Sequence, residues 1–202
     1  MMKVLTMVRV RSTSILSTAV MAFLACGATL RAEDLQPGGK APEFKAQGID
    51  GRSYSLSDVM KAKATVIAFT CNNCPVAQAY EARFNDFQKK YGEQGVLFLA
   101  VNVNASENLD AMKKRAADQK LAYSYAYDES GDSARAFGAR VTPHIFVIDS
   151  KGLVAYQGSF DDKQNDPTTP HVENAVKAIM AGKQPDVQST KAFGCGIKPK
   201  KK

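Results

Sequence analysis

The chain has 202 residues, 45% of them hydrophobic and 23% charged, with two histidines, four cysteines and no tryptophan. This composition excludes a collagen-like, wholly disordered or multi-pass membrane protein. Two histidines are too few for an all-histidine metal centre, and four cysteines too few for a disulfide-stapled scaffold of this length. The net charge of +7 sits at the ends. Residues 1–32 hold Lys3, Arg9, Arg11 and Arg31 and no acid, residues 198–202 hold four lysines, and the body between them is left at −1. A nucleic-acid binder needs a basic face against phosphates, so that partner class is set aside.

Residues 1–32 read as a signal peptide. Lys3, Arg9 and Arg11 form a basic n-region, Ile15 to Leu24 a short apolar run, and Ala28 to Ala32 a mostly small stretch before the first acids, Glu33 and Asp34. The apolar run is too short for a membrane span. Cleavage is expected after Ala32, giving an exported, periplasmic or extracellular chain of about 170 residues with three cysteines. Cys26 lies in a weak lipoprotein-like box, and only lipidation there would place the protein at a membrane.

Residues 33–43 read as a linker, and a domain is expected over 44–182. Phe44 to Gly48 and Arg52 to Tyr54 suggest short strands around Asp50-Gly51. Ser55 to Val59 suggests a helical turn. Ala64 to Phe69 is a nearly continuous apolar run, as in a strand buried on both faces. Val76, Tyr80, Phe84, Phe87 and Tyr91 recur at helical spacing behind Pro75, which suits a first helical turn. A second buried strand is expected over Val96–Val101, a helix over Glu107–Lys120 capped by Asn104 or Ser106, a strand over Tyr123–Tyr127 and a short helix over Asp132–Phe137. His144 to Asp149 and Leu153 to Gly158 read as a hairpin, and a last helix follows Thr169-Pro170. Residues 183–202 read as a tail with Cys195 and a lysine-rich end. The fold class is α/β: a central mixed β-sheet flanked by helices on both faces, with its site beyond the carboxyl ends of strands.

Cys71-Asn72-Asn73-Cys74-Pro75 lies between a buried strand and a helix start. Such a pair closes a small disulfide ring, and a helix N-terminus stabilises a thiolate. Three readings stand: a redox dithiol, a structural disulfide, or part of a soft copper(I) site with His144. Thr142-Pro143 immediately precedes a buried strand, where a residue without an amide donor belongs. A cis proline there brings the preceding backbone beside the cysteines. Cys195 is the third mature cysteine, either a redox thiol exchanging with Cys74 or a terminal free thiol. His144 either faces the cysteines or turns away, as alternate side chains of a strand do. Asp161-Asp162 reads as a solvated loop.

With these elements in place the chain resembles the thioredoxin fold. More narrowly it is similar to the exported redoxins of the peroxiredoxin-like branch, the alkyl hydroperoxide reductase/thiol-specific antioxidant relatives. The resemblance spans roughly residues 40–197. It rests on Phe69 to Pro75, Tyr80-Glu81 with Arg83-Phe84, Gly138 to Asp149, Gly158 to Asp162, and Ala192 to Ile197. It implies that Cys71 attacks, Cys74 resolves, Pro143 is cis, and Thr142 presents its backbone to a substrate chain. The partners it implies are protein disulfides or dithiols, or a hydroperoxide. No dissociable cofactor and no resident metal are expected. The chain departs from peroxiredoxins in having Ala68, not threonine, three residues before Cys71, and from thioredoxins in having Thr65 where a buried acid is usual. With neutral Asn72-Asn73 as spacer, activation of Cys71 is expected to come mainly from the helix start. The expected activity is thiol-disulfide exchange, with thiol peroxidation and copper binding by Cys71, Cys74 and His144 as the other readings.

Overall fold

The computed structural model describes residues 35–200. The signal-peptide reading, with Cys26, lies outside them. Along the chain run β1 (Lys45–Gly48), β2 (Ser53–Ser55), α1 (Leu56–Val59), β3 (Ala64–Thr70), α2 (Pro75–Gly92), β4 (Val96–Asn102), α3 (Leu109–Asp118) and β5 (Ser124–Tyr127). They are followed by α4 (Asp132–Phe137), β6 (Val141–Thr142), β7 (His144–Asp149), β8 (Val154–Gly158), α5 (His171–Met180) and β9 (Cys195–Gly196).

Seven strands form one mixed sheet in the order β2-β1-β5-β4-β3-β7-β8. Strands β3, β4 and β5 are parallel, and the others pair antiparallel. All seven residues of β3 are buried, because β4 and β7 flank its edges and helices cover both its faces. Alternate residues of β3 therefore serve different layers. Val66 and Ala68 pack with Tyr80, Phe84 and Phe87 of α2 and Val172 and Val176 of α5. Ile67 and Phe69 pack with Leu56 of α1 and Phe137 of α4. In α2 the buried residues are Ala77, Tyr80, Phe84, Phe87 and Tyr91, one helical stripe. Phe84 centres an aromatic cluster, its ring 4.8 Å from Phe98 and 5.0 Å from Phe160.

Three sequence expectations are corrected. Helix α3 begins at Leu109, two residues later than expected, and Asn108 caps it by accepting the Ala111 amide at 2.9 Å. Glu107 lies before the helix because the backbone of the cap residue Asn108 is extended. The domain does not stop at 182: the Thr190 amide donates to the Gln157 carbonyl at 3.0 Å and β9 pairs with β6. The presumed linker also lies on the body, with the Gly38 amide donating to Val154 at 2.7 Å and Ala41 buried. In both segments backbone groups find strand-edge partners that a hydropathy pattern does not show. Third, Asp161 is not solvated. It is 3% exposed, accepts the Tyr80 hydroxyl at 2.6 Å, and pairs with Arg83.

Candidate active site

The chain leaves β3 at Thr70 and enters α2 at Pro75, so Cys71–Cys74 form the turn between them. Pro75 occupies the first helical position, which makes Cys74 the N-cap. The Cys74 sulfur accepts the Ala77 amide at 3.4 Å. Across the site, β6 ends at Thr142 and the Thr142–Pro143 peptide bond is cis. The Cys74 thiol donates to the Thr142 carbonyl at 3.1 Å, and the Cys71 sulfur lies 3.6 Å from the Thr142 hydroxyl. The structure thus brings together Cys71, Cys74, Thr142 and Pro143, drawn from loops 71 residues apart. Cys71, Cys74 and Cys195 stand as free thiols, with Cys71 8% exposed and Cys74 1%.

The expectation that the helix start activates Cys71 is corrected. Proline after the second cysteine sets the helix origin there, and the N-terminal amides serve Cys74. Burial pushes the Cys71 thiol above its ordinary pKa, and the charges of Glu107 and Cys74 add to this. Hydrogen bonds from Thr142 and Asn104 oppose it only in part. For Cys74, burial and the Thr142 carbonyl favour the thiol. Donation from the Cys195 thiol, the Thr142 hydroxyl and the Ala77 amide outweighs them and holds Cys74 below the ordinary value.

Glu107 is the residue that sequence reasoning missed. It is 7% exposed, and each carboxylate oxygen takes two donors. Oε2 accepts the Asn72 amide at 2.8 Å and the Asn102 side chain at 2.6 Å. Oε1 accepts the Asn73 amide at 3.1 Å and the Asn104 side chain at 3.3 Å. The spacer of the cysteine pair is thereby clamped by its backbone. The Tyr125 hydroxyl fixes the Asn72 side chain at 2.8 Å, and Gln78 donates to the Asn72 carbonyl at 2.7 Å. The available signal was topological. Loops after adjacent parallel strands meet at their carboxyl ends, and an acid in the loop after β4 faces the loop after β3.

His144 turns away from the cysteines. Its ring lies tilted against Phe146 with centroids 4.7 Å apart, and its Nδ1 accepts the Arg140 amide at 3.4 Å. Burial, with the Arg140 charge, lowers its pKa to about 4. The copper set Cys71, Cys74 and His144 is not assembled, and among the described residues no group of three His, Cys, Asp or Glu side chains is arranged to hold a metal ion. Thr65, at the spacing of the usual buried acid, donates to the Val59 carbonyl at 2.7 Å. Cys195 packs against the other two cysteines, opposite Thr142 in the β6/β9 register. The Thr142 backbone implied to receive a substrate chain is therefore paired with the protein's own C-terminal strand.

A cysteine pair at the end of a parallel strand, capping a helix and facing a cis-proline strand start, defines a thioredoxin-fold redoxin, a class of oxidoreductases. The AhpC/TSA family model matches residues 37–157, and the chain belongs to that family. A Bacillus cereus protein named thiol-disulfide oxidoreductase ResA is 27% identical over 165 residues, covering 82% of this chain and 91% of its own length. An uncharacterized conserved protein from Geobacillus kaustophilus superposes with a TM-score of 0.76 at 30% identity, over 82% of this chain and 93% of that one. A putative thiol:disulfide interchange protein DsbE from Chlorobium tepidum gives a TM-score of 0.58 at 28% identity, over 73% and 97%.

Proposed function

We propose that the protein is an exported thiol-disulfide oxidoreductase that exchanges the Cys71–Cys74 dithiol with disulfides or dithiols of other proteins. The observation that carries this reading is the gathering of both sulfurs on Thr142 at the cis-proline strand. The relatives named thiol-disulfide oxidoreductases support it. So does the burial difference within the pair. Cys71, the more exposed, is the atom a partner meets. Its thiolate attacks one sulfur of the partner disulfide, that bond breaks, and one partner thiolate leaves. The Cys74 thiolate then attacks the Cys71 sulfur and expels the second partner thiolate. The partner gains two electrons and the protein keeps a Cys71–Cys74 disulfide. In the opposite direction a partner thiolate attacks Cys71, and Cys74 is the leaving group. A low pKa keeps Cys74 as thiolate for its attack in the first direction and makes it the better leaving group in the reverse one.

Export rests on the basic, apolar and small-residue succession of residues 1–32. Cell fractionation with N-terminal sequencing tests it, and an uncleaved cytoplasmic product would refute it. The exchange reading is tested by mixing reduced protein with a disulfide-linked peptide and, separately, with micromolar hydrogen peroxide. Thiol loss is followed and the cysteines are mapped by mass. Rapid loss to the peptide, absent in Cys71→Ser, with peroxide no faster than a free thiol, is the expected result. Consumption of peroxide within seconds, with sulfenic acid on Cys71, would make the protein a thiol peroxidase instead.

A further inference from the structure

The C-terminal segment is seated across the cysteine end of the sheet at successive points. Residues 188–190 extend the sheet beside β8, and the Thr190 hydroxyl lies 2.5 Å from the Tyr156 hydroxyl. Cys195 then lies opposite Thr142 in antiparallel register. Beyond it, the Ile197 amide donates to Arg140 and the Ala105 amide to Lys198, each at 3.0 Å. Two glycines permit this seat. Gly158 has φ +141 and Gly194 φ +151, a region that side-chain-bearing residues rarely enter. A β-carbon at 158 would collide with Thr190, and one at 194 with the Thr142 carbonyl oxygen. Backbone is thus packed on backbone directly beside the cysteine pair.

An extended chain added to an exposed strand edge is a general mode of peptide recognition, with main-chain pairing setting the register of its side chains. Here the added strand belongs to the protein and carries a cysteine at the position facing Thr142. Cys195 packs against the cluster formed by Cys71, Cys74 and Ala77, and the Thr142 hydroxyl donates to the Cys195 carbonyl at 3.4 Å.

We propose that Cys195 is a third exchanging thiol, a tethered internal substrate that forms a disulfide with Cys74. The proposal rests on the dithiol reading above and adds a step to it. In the oxidised protein the Cys195 thiolate attacks the Cys74 sulfur of the Cys71–Cys74 disulfide. The Cys74–Cys195 bond forms, the Cys71–Cys74 bond breaks, and Cys71 leaves as a thiolate. Cys195 gives up a proton before attack and Cys71 takes one up afterwards. One disulfide replaces another, so no external oxidant or reductant is consumed. The outcome frees the Cys71 thiol while the oxidising equivalent moves onto the C-terminal strand.

The test uses the full chain carrying Cys26→Ser, so that three cysteines remain. It is equilibrated in glutathione buffers from reducing to oxidising, quenched in acid, alkylated, and mapped for linked peptides without reduction. A Cys74–Cys195 pair within about tenfold of the Cys71–Cys74 population is expected, a difference of about 1.4 kcal/mol or less. Gly194→Ala should reduce that pair at least tenfold relative to Cys71–Cys74, because it lifts the strand from Thr142 and touches no cysteine. In Cys71→Ser, mild oxidation should link Cys74 to Cys195 at a rate independent of protein concentration. Should Cys71–Cys74 form while Cys195 is alkylated at every poise, or is linked only to a second chain, the proposal is overturned and the dithiol reading stands. Should neither internal linkage appear at any poise, both fall.

Discussion

The carboxylate of Glu107 and the backbone amide of Asn72 meet at 2.8 Å, across 35 residues of chain. This contact ties the loop after β4 to the cysteine turn after β3, and it places a buried negative charge beside Cys71. The same group therefore stabilises the turn and disfavours the Cys71 thiolate. Glu107→Gln should separate the two effects. Replacing one oxygen by an amide removes the acceptor from two donors, which should cost about 1–3 kcal/mol in urea unfolding. It should also move the pH profile of Cys71 alkylation to lower pH, because the repelling charge is gone. An unchanged profile would show that burial and the Cys74 charge raise Cys71 without Glu107.

Thr142→Val should act in the opposite sense. The hydroxyl 3.6 Å from the Cys71 sulfur lowers that thiol's pKa, and valine keeps the shape while removing the donor. Cys71 alkylation and disulfide exchange should slow near neutral pH and recover as pH rises. The backbone pairing with Cys195 is retained in this variant, so its far-UV circular dichroism should match the wild type.

The two cysteines should differ in their response to pH. Cys71 sits above the ordinary cysteine value and Cys74 below it. Because the folded Cys71 pKa is raised, its contribution to stability is intact below the unfolded-state cysteine pKa of about 8.5 and declines as pH rises through the folded value. Unfolding measured from pH 7 to 10 should show this decline, and Cys71→Ser should flatten it. A decline of equal size in Cys71→Ser would assign the effect to other groups.

His144 supplies the acid limb. Its pKa falls from 6.5 to about 4 on folding, because partial burial disfavours the charged ring and Arg140 is near. The unfolded chain thus binds the proton first. Stability is complete above 6.5 and is lost as pH falls toward about 4. His144→Gln should flatten the melting temperature over that interval without altering Cys71 alkylation at neutral pH. Altered alkylation would mean that the ring communicates with the cysteines.

Asp161 is a buried carboxylate away from the cysteines. Asp161→Ala leaves the Tyr80 hydroxyl without its acceptor and Arg83 without its carboxylate. A loss of about 2–3 kcal/mol is expected, less than for a fully enclosed pair because Arg83 keeps some contact with water. Urea denaturation measures it, and a loss under about 0.5 kcal/mol would place Asp161 with ordinary surface charges.

By itself the sequence determined the elements whose residues carry periodic burial. The apolar run of β3, the stripe from Tyr80 to Tyr91 and the hairpin of β7 and β8 each bury faces set by the period of their own element, so their spacing encodes them. The cysteine turn and Thr142-Pro143 were recognisable because each needs particular residue types at a particular junction. Three further features were decided only by tertiary structure: which sulfur the helix start serves, the grip of Glu107 on the cysteine turn, and the seat of Cys195 against Thr142. The last two depend on groups far apart in the chain meeting at the carboxyl ends of neighbouring strands, and the first on where the helix begins within the cysteine turn. Their partners are backbone amides and carbonyls, which every residue carries and no residue type announces.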